Sequence, residues 1–294
     1  MPKIAIVWDF DGTLTPQDST TKVVVDILQA YQSANKFWKY VKGLRGDSRK
    51  PTWEHVLASD APIWMYALSR IAYKKKVPLN AEFFGEFVKP HISLYDGVLP
   101  FLRRLKRMEK TALFRESKLE IHFFIITAGL KELVELLFPK DLITWTFGCR
   151  YEVVAAEEDG GPESIPVFCM DETMKTRSLF EISKGSFADK QHAVNKRVPV
   201  EELWAPFENI VYIGDGDTDV PALSLTRRQG GLGVVVYNPG KSKYAVNKRL
   251  KQMTLDKRAD IVTPAKFEET GELFDFLRMR CRQIALRYRA QQSV

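Results

Sequence analysis

Cysteine and histidine are scarce in this chain, at three and four residues in 294. Cys149, Cys169 and Cys281 lie far apart, with no CxxC pair and no His/Cys cluster, which argues against a structural zinc module. An odd, sparse count also excludes a disulfide framework and fits reduced thiols in a cytoplasmic setting. Long apolar runs are missing too. The N-terminal run at residues 4–8 is far shorter than the apolar stretch of a secretory signal. Nothing approaches the ~20 apolar residues of a membrane span, so no membrane partner is expected. There is no internal repeat and no low-complexity tract.

Net charge is absent from the first 240 residues, which hold 31 basic and 31 acidic side chains. The whole excess of +7 sits in residues 241–294, with 13 Lys/Arg against 6 Asp/Glu. Such a segment can contact nucleic acid or acidic lipid, or present a solvated face. It lacks the aromatic and glycine pattern of an RNA-reading motif. At 45% hydrophobic and 28% charged residues, the chain has the composition of a globular protein with a sizeable core.

Four short runs are continuously apolar: residues 4–8 (IAIVW), 122–126 (HFFII), 210–213 (IVYI) and 233–237 (GVVVY). Runs of this kind suit strands buried on both faces of a parallel sheet. Helical stripes lie between them, as at Val98, Phe101, Leu102 and Leu105, and at Leu130, Leu133, Val134 and Leu137. Strands alternating with amphipathic helices predict βαβ units. One region breaks the alternation. Residues 18–89 offer no strand, only stripes such as Val24, Ile27, Leu28 and Tyr31, or Trp64, Ala67, Leu68 and Ile71. The expected fold is therefore α/β, a Rossmann-like parallel sheet with an inserted α-helical cap. The core takes residues 1–16 and 92–294 and the cap residues 17–91. The polar segment 44–51 is expected as a loop between cap helices, and 157–164 as the tip of a hairpin or flap.

Acids follow two of the strands. Asp9 and Asp11 end the first, and Asp215, Asp217 and Asp219 follow the third after a glycine turn. Ligands of open parallel sheets bind beyond the carboxyl ends of the strands. Carboxylates gathered there repel one another unless a cation or a shared proton offsets the repulsion. The second group lacks the terminal glutamate of a calcium loop, and one hard cation such as Mg²⁺ would suit both groups. In FFIITAGL, Thr127 is read as ending a strand and Gly129 as opening a helix, an arrangement fit for phosphate.

DFDGTLT, then IITAG, then a lysine, then GDGDTD, in that order, resemble the haloacid dehalogenase superfamily of phosphohydrolases. The motifs span residues 9–219, and the helical insertion resembles the C1-type cap of phosphoserine phosphatase-like members. The resemblance implies a Mg²⁺-dependent phosphatase in which Asp9 is the nucleophile and Asp11 the general acid and base. It implies Mg²⁺ held by the Asp9 carboxylate, the Asp11 main-chain carbonyl and Asp215, with Asp219 orienting water on the metal. Thr127, Ala128 and Gly129 would bind the phosphoryl oxygens, and Lys175 would clamp them, with Lys184 and Lys190 as weaker alternatives. Asp18 has two readings, a helix cap or a contact to the leaving group at the place of the family's substrate-reading glutamate. A cap over the site implies a small phosphorylated metabolite as partner. Phosphotransfer to another acceptor, a nucleic-acid end phosphatase aided by the basic tail, and a non-catalytic ligand-binding protein use the same residues.

Overall fold

The computed structural model describes residues 3–44, 60–155, 160–188, 193–240 and 258–292. The loop expected at 44–51 falls almost wholly outside them, and so do Lys190, residues 157–159 of the expected flap, and residues 241–257 of the basic segment.

The apolar runs form strands where expected. β1 (Lys3–Trp8), β2 (Glu120–Leu130), β5 (Ile210–Gly214) and β6 (Leu232–Tyr237) are joined by β3 (Trp145–Val154), β4 (Glu163–Phe168) and β7 (Ile261–Pro264). They make one sheet in the order β4-β3-β2-β1-β5-β6-β7. Every neighbouring pair is parallel except β3 and β4, which form an antiparallel hairpin. β1 lies at the centre, with Ile4 to Trp8 fully buried. A strand covered on both faces needs no polar alternation, which is why IAIVW reads as one block. β7, in the segment where no motif was legible, completes the sheet beside β6.

The described residues between 17 and 91 carry helices and no strand. α1 (Ser19–Lys22) runs into a π-helical turn at Val23–Ile27, followed by α2 (Ala34–Leu44), α3 (Asp60–Lys75) and α4 (Ala81–His91). The stripe read through Val24 and Tyr31 is shorter than expected. Gln29 turns left-handed at φ +48°, which ends the helix before Tyr31. The two chain crossings between sheet and insertion run side by side. Tyr95 N donates to Leu14 O at 2.9 Å, Thr15 Oγ1 to Ser93 O at 2.7 Å, and Ser93 N to Gln17 Oε1 at 2.9 Å.

The hairpin closes against the insertion. Ser69 Oγ donates to Ser164 O at 2.5 Å, Leu79 N to Ser164 Oγ at 3.0 Å, and Tyr151 OH to Met65 O at 2.6 Å. The remaining helices are α5 (Val98–Arg107), α6 (Ala112–Ser117), α7 (Lys131–Leu137), α8 (Glu172–Lys184), α9 (Val220–Arg228) and α10 (Glu272–Gln291). α8 packs on α9, and α10 on α5 and α6. No helix among the described residues is long and apolar enough to cross a membrane.

Candidate active site

The carboxyl ends of β1 and β5 lie next to each other. Asp9 N donates to Ile213 O at 2.8 Å, which holds the first acid against the second strand. Gly12 follows at φ +78°, and a Cβ there would stand 2.3 Å from an Asp215 carboxylate oxygen. Gly214 leaves the same kind of gap, since its Cβ would meet Asp219 Oδ2 at 2.4 Å. The glycines in both motifs therefore let backbone approach a carboxylate closely.

Asp9, Asp215 and Asp219 offer oxygens within 4.8 Å of one another. Lys175 reaches into this group from the first turn of α8, a helix capped by Asp171, whose carboxylate accepts from Met174 N. Lys175 Nζ donates to Asp9 Oδ1 at 2.8 Å and to Asp219 Oδ1 at 2.6 Å, with only 1% of its side chain exposed. Burial alone would lower its pKa, but Asp219 and Asp9 outweigh burial and hold it above the usual lysine range. Asp219 is engaged on both oxygens, accepting from Tyr212 OH at 2.7 Å on Oδ1 and from Gly216 N at 2.9 Å on Oδ2. Asp9 is pushed well above the usual carboxylate range by burial and by the charge of Asp219, with Lys175 opposing. Ionised together, three carboxylates and one ammonium leave two negative charges, which a divalent cation would balance. The donors are all oxygen, as Mg²⁺ requires, so the residues present fit such an ion.

Asp11 is bonded to the first turn of α1 instead. Its Oδ1 accepts from Ser19 N at 3.1 Å and its Oδ2 from Ser19 Oγ at 2.9 Å. Burial, then the nearby charge of Asp18, raise its carboxyl to about 7 against the two Ser19 bonds. A carboxyl in that range keeps much of its proton at neutral pH, as a general acid must. Asp18 itself caps α1, accepting from Thr21 N at 2.8 Å, which is the capping role considered for it.

The phosphate loop differs from expectation. β2 does not end at Thr127 but continues to Leu130, and α7 opens at Lys131, not at Gly129. The cause is pairing with β3, which shifts register after Ile126 and resumes at Leu130 opposite Cys149. Gly129 N donates to Thr127 Oγ1 at 2.9 Å, so in this arrangement the two phosphate-binding candidates bond each other. The segment still lies at the acids. A Cβ on Gly129 would be 2.7 Å from Ser19 Oγ, 3.3 Å from Thr127 Oγ1 and 3.4 Å from Asp11 Oδ2. Ala128 is held from below by the Cys149 thiol, which donates to its carbonyl at 3.4 Å.

Of the lysine candidates, Lys175 is at the acids. Lys184 is not: its ammonium donates to Val194 O and Lys196 O, at 2.6 Å each. Asp217 is exposed on the turn. Two residues at the site escaped the sequence reading. Tyr212 counted as one more residue of the apolar run 210–213, and Ser19 as a polar residue beside Asp18 at the start of a helix. The pattern gives no sign of either hydroxyl's partner, because Asp219 and Asp11 accept from them only once the chain is folded.

A family model described as haloacid dehalogenase-like hydrolase matches residues 6–224. An uncharacterized protein of Borreliella burgdorferi is 24% identical over 233 residues, covering 76% of this chain and 78% of its own. Among solved structures, a substrate-bound phosphoserine phosphatase complex aligns with TM-score 0.53 at 16% identity, over 95% of this chain and 99% of that one. A cytosolic 5′-nucleotidase IIIB bound to cytidine aligns with TM-score 0.54 at 13% identity, over 99% and 87%. Likeness at these identities establishes a shared fold.

Proposed function

Since the chain belongs to the haloacid dehalogenase-like hydrolases, we propose that it is a Mg²⁺-dependent phosphatase of small phosphomonoesters, working through a phosphorylated Asp9. The observation that carries this reading is the buried Lys175 bridging Asp9 and Asp219 beside Asp215. A lysine so placed meets the charge of a transferring phosphoryl group, and three acids around it leave room for a divalent ion. Asp9, Asp215 and the Asp11 carbonyl would hold Mg²⁺, and Asp219 would fix the surroundings. The ion, when bound, lowers the repulsion between an anionic nucleophile and an anionic ester.

Asp9 attacks phosphorus, the bond from phosphorus to the leaving oxygen breaks, and the Asp11 proton passes to that oxygen. Asp11, now ionised, takes a proton from water as the water attacks phosphorus. The products are inorganic phosphate and the free Asp9 carboxylate. Thr127 and the backbone of Ala128 and Gly129 steady the phosphoryl oxygens. Their bond to each other in the present arrangement would be exchanged for bonds to phosphate. The helices of residues 17–91 form the cap that excludes bulk water and large substrates.

The test is hydrolysis of 4-nitrophenyl phosphate with Mg²⁺ and with EDTA, followed by acid trapping of phosphoryl-protein. Turnover lost in EDTA and label lost in Asp9→Asn are expected. Full turnover by metal-free protein, or by Asp9→Asn, would overturn the proposal.

A further inference from the structure

The first turn of the insertion holds Asp11 by two points of one residue. Ser19 N meets Oδ1 at 3.1 Å and Ser19 Oγ meets Oδ2 at 2.9 Å. Both carboxylate oxygens are thereby engaged, so the plane of the carboxyl group is fixed as well as its position. Ser19 is 1% exposed. Its hydroxyl is not needed to start the helix, because Asp18 already caps α1 through Thr21 N. It also stands 2.7 Å from where a Cβ on Gly129 would be, a point 3.3 Å from Thr127 Oγ1. A hydroxyl both donates and accepts, so its contact with Asp11 survives whether the carboxyl is ionised or protonated. The backbone N–H donates to Oδ1 in either form, provided that the proton of the neutral acid sits on Oδ2.

Resting on the phosphatase reading above, we propose that Ser19 is a positioning residue for proton delivery, aiming the Asp11 carboxyl at the leaving oxygen from the first turn of the cap. Asp11 lies in a turn after β1 closed by Gly12 N donating to Thr15 O at 2.8 Å, and the Ser19 N–H and hydroxyl together fix its side chain. The placement of the acid therefore depends on the cap helix being in position.

The test uses kcat/KM on two esters, since it reports the first irreversible step, transfer of phosphoryl to Asp9. 4-Nitrophenyl phosphate releases a stable anion and needs little proton donation. Ethyl phosphate releases an alkoxide and needs it fully. General acid catalysis contributes about 10²–10⁴ in rate. Ser19→Ala is expected to lower kcat/KM for ethyl phosphate at least about tenfold more than for 4-nitrophenyl phosphate. The ratio of the two does not depend on the fraction of folded enzyme, so partial misfolding cannot imitate the effect. Asp11→Asn supplies the benchmark, with a larger loss in the same sense. If Asp11→Asn is selective but Ser19→Ala loses equally on both esters or on neither, the positioning role is refuted. If Asp11→Asn itself shows no selectivity, the assignment of Asp11 as the acid fails instead, and the role of Ser19 with it.

Discussion

Replacing Lys175 by Met removes the one buried ammonium that bridges Asp9 and Asp219, while keeping a side chain of similar length. The ammonium sits 2.8 Å from one carboxylate and 2.6 Å from the other, with 1% of its side chain exposed. Breaking a buried ion pair from one side costs about 3–5 kcal/mol, because the remaining charge is left uncompensated. Here two acids lose their partner, with Asp215 close by. With an unfolding entropy of about 2.1 cal/mol/K per residue over 294 residues, that corresponds to a fall in Tm of roughly 5–8 °C.

The loss should also depend on pH. Burial and the charge of Asp219 already raise Asp9, and Lys175 is what opposes them. Without the lysine, the folded-state pKa of Asp9 climbs further above its unfolded value. A group raised in this way favours folding while protonated and loses that contribution as pH rises through the folded pKa. The destabilisation of Lys175→Met should therefore be larger at pH 8 than at pH 5. Thermal melts of both proteins in EDTA at the two pH values measure this directly. A difference under about 2 °C at pH 8, or a larger difference at pH 5, would show that the buried charges are compensated elsewhere.

Two further substitutions probe the frame of the site. Gly12→Ala places a Cβ 2.3 Å from an Asp215 oxygen at φ +78°, and should cost about 1–3 kcal/mol and remove most Mg²⁺-dependent turnover. Wild-type turnover in this variant would mean that Asp215 need not stay where it is. Asp18→Asn should melt with the wild type, because Asn caps a helix about as well as Asp, whereas Asp18→Ala should lose about 1 kcal/mol. Equal losses in both variants would point to the charge of Asp18 rather than its capping bond to Thr21 N.

The strands that build the site were legible because each is buried on both faces. The apolar runs at residues 4–8 and 210–213 announce β1 and β5, and the acids directly after them are where those strands end. Lys175 was singled out only through the resemblance to the phosphohydrolase family. What the pattern could not show depends on partners distant in the chain. β2 extends past Thr127 because Leu130 pairs with Cys149, and nothing in ITAGL reveals that pairing. The hairpin of β3 and β4 is half visible in its turn-rich tip, but its docking on α3 through Ser69, Ser164 and Tyr151 arises only in three dimensions. β7 is a four-residue strand that follows a basic segment, too short to stand out from its surroundings. The hydroxyls of Ser19 and Tyr212 follow the same rule, since a side chain's partner across the fold leaves no trace in local spacing.

The central position of β1 has a consequence for how the protein is made. Its two neighbours begin pairing at Glu120 and Ile210, opposite Lys3 and Ala5. At a synthesis rate of about 5–20 residues per second, roughly 10–40 s separate the arrival of β1 from that of β5. Until β2 emerges the strand that leads into Asp9 has no partner, and from then until β5 emerges it remains an apolar edge, open to the wrong partner. The acids cannot gather around Lys175 until Asp219 has emerged, so a chain released before that point contains Asp9 without the complete candidate site around it. The insertion and the hairpin emerge earlier and can already bind each other through Ser69, Tyr151 and Ser164. Growth of this chain is therefore expected to assemble the cover before the floor, and a holding chaperone would act on the segment around Ile4 to Trp8.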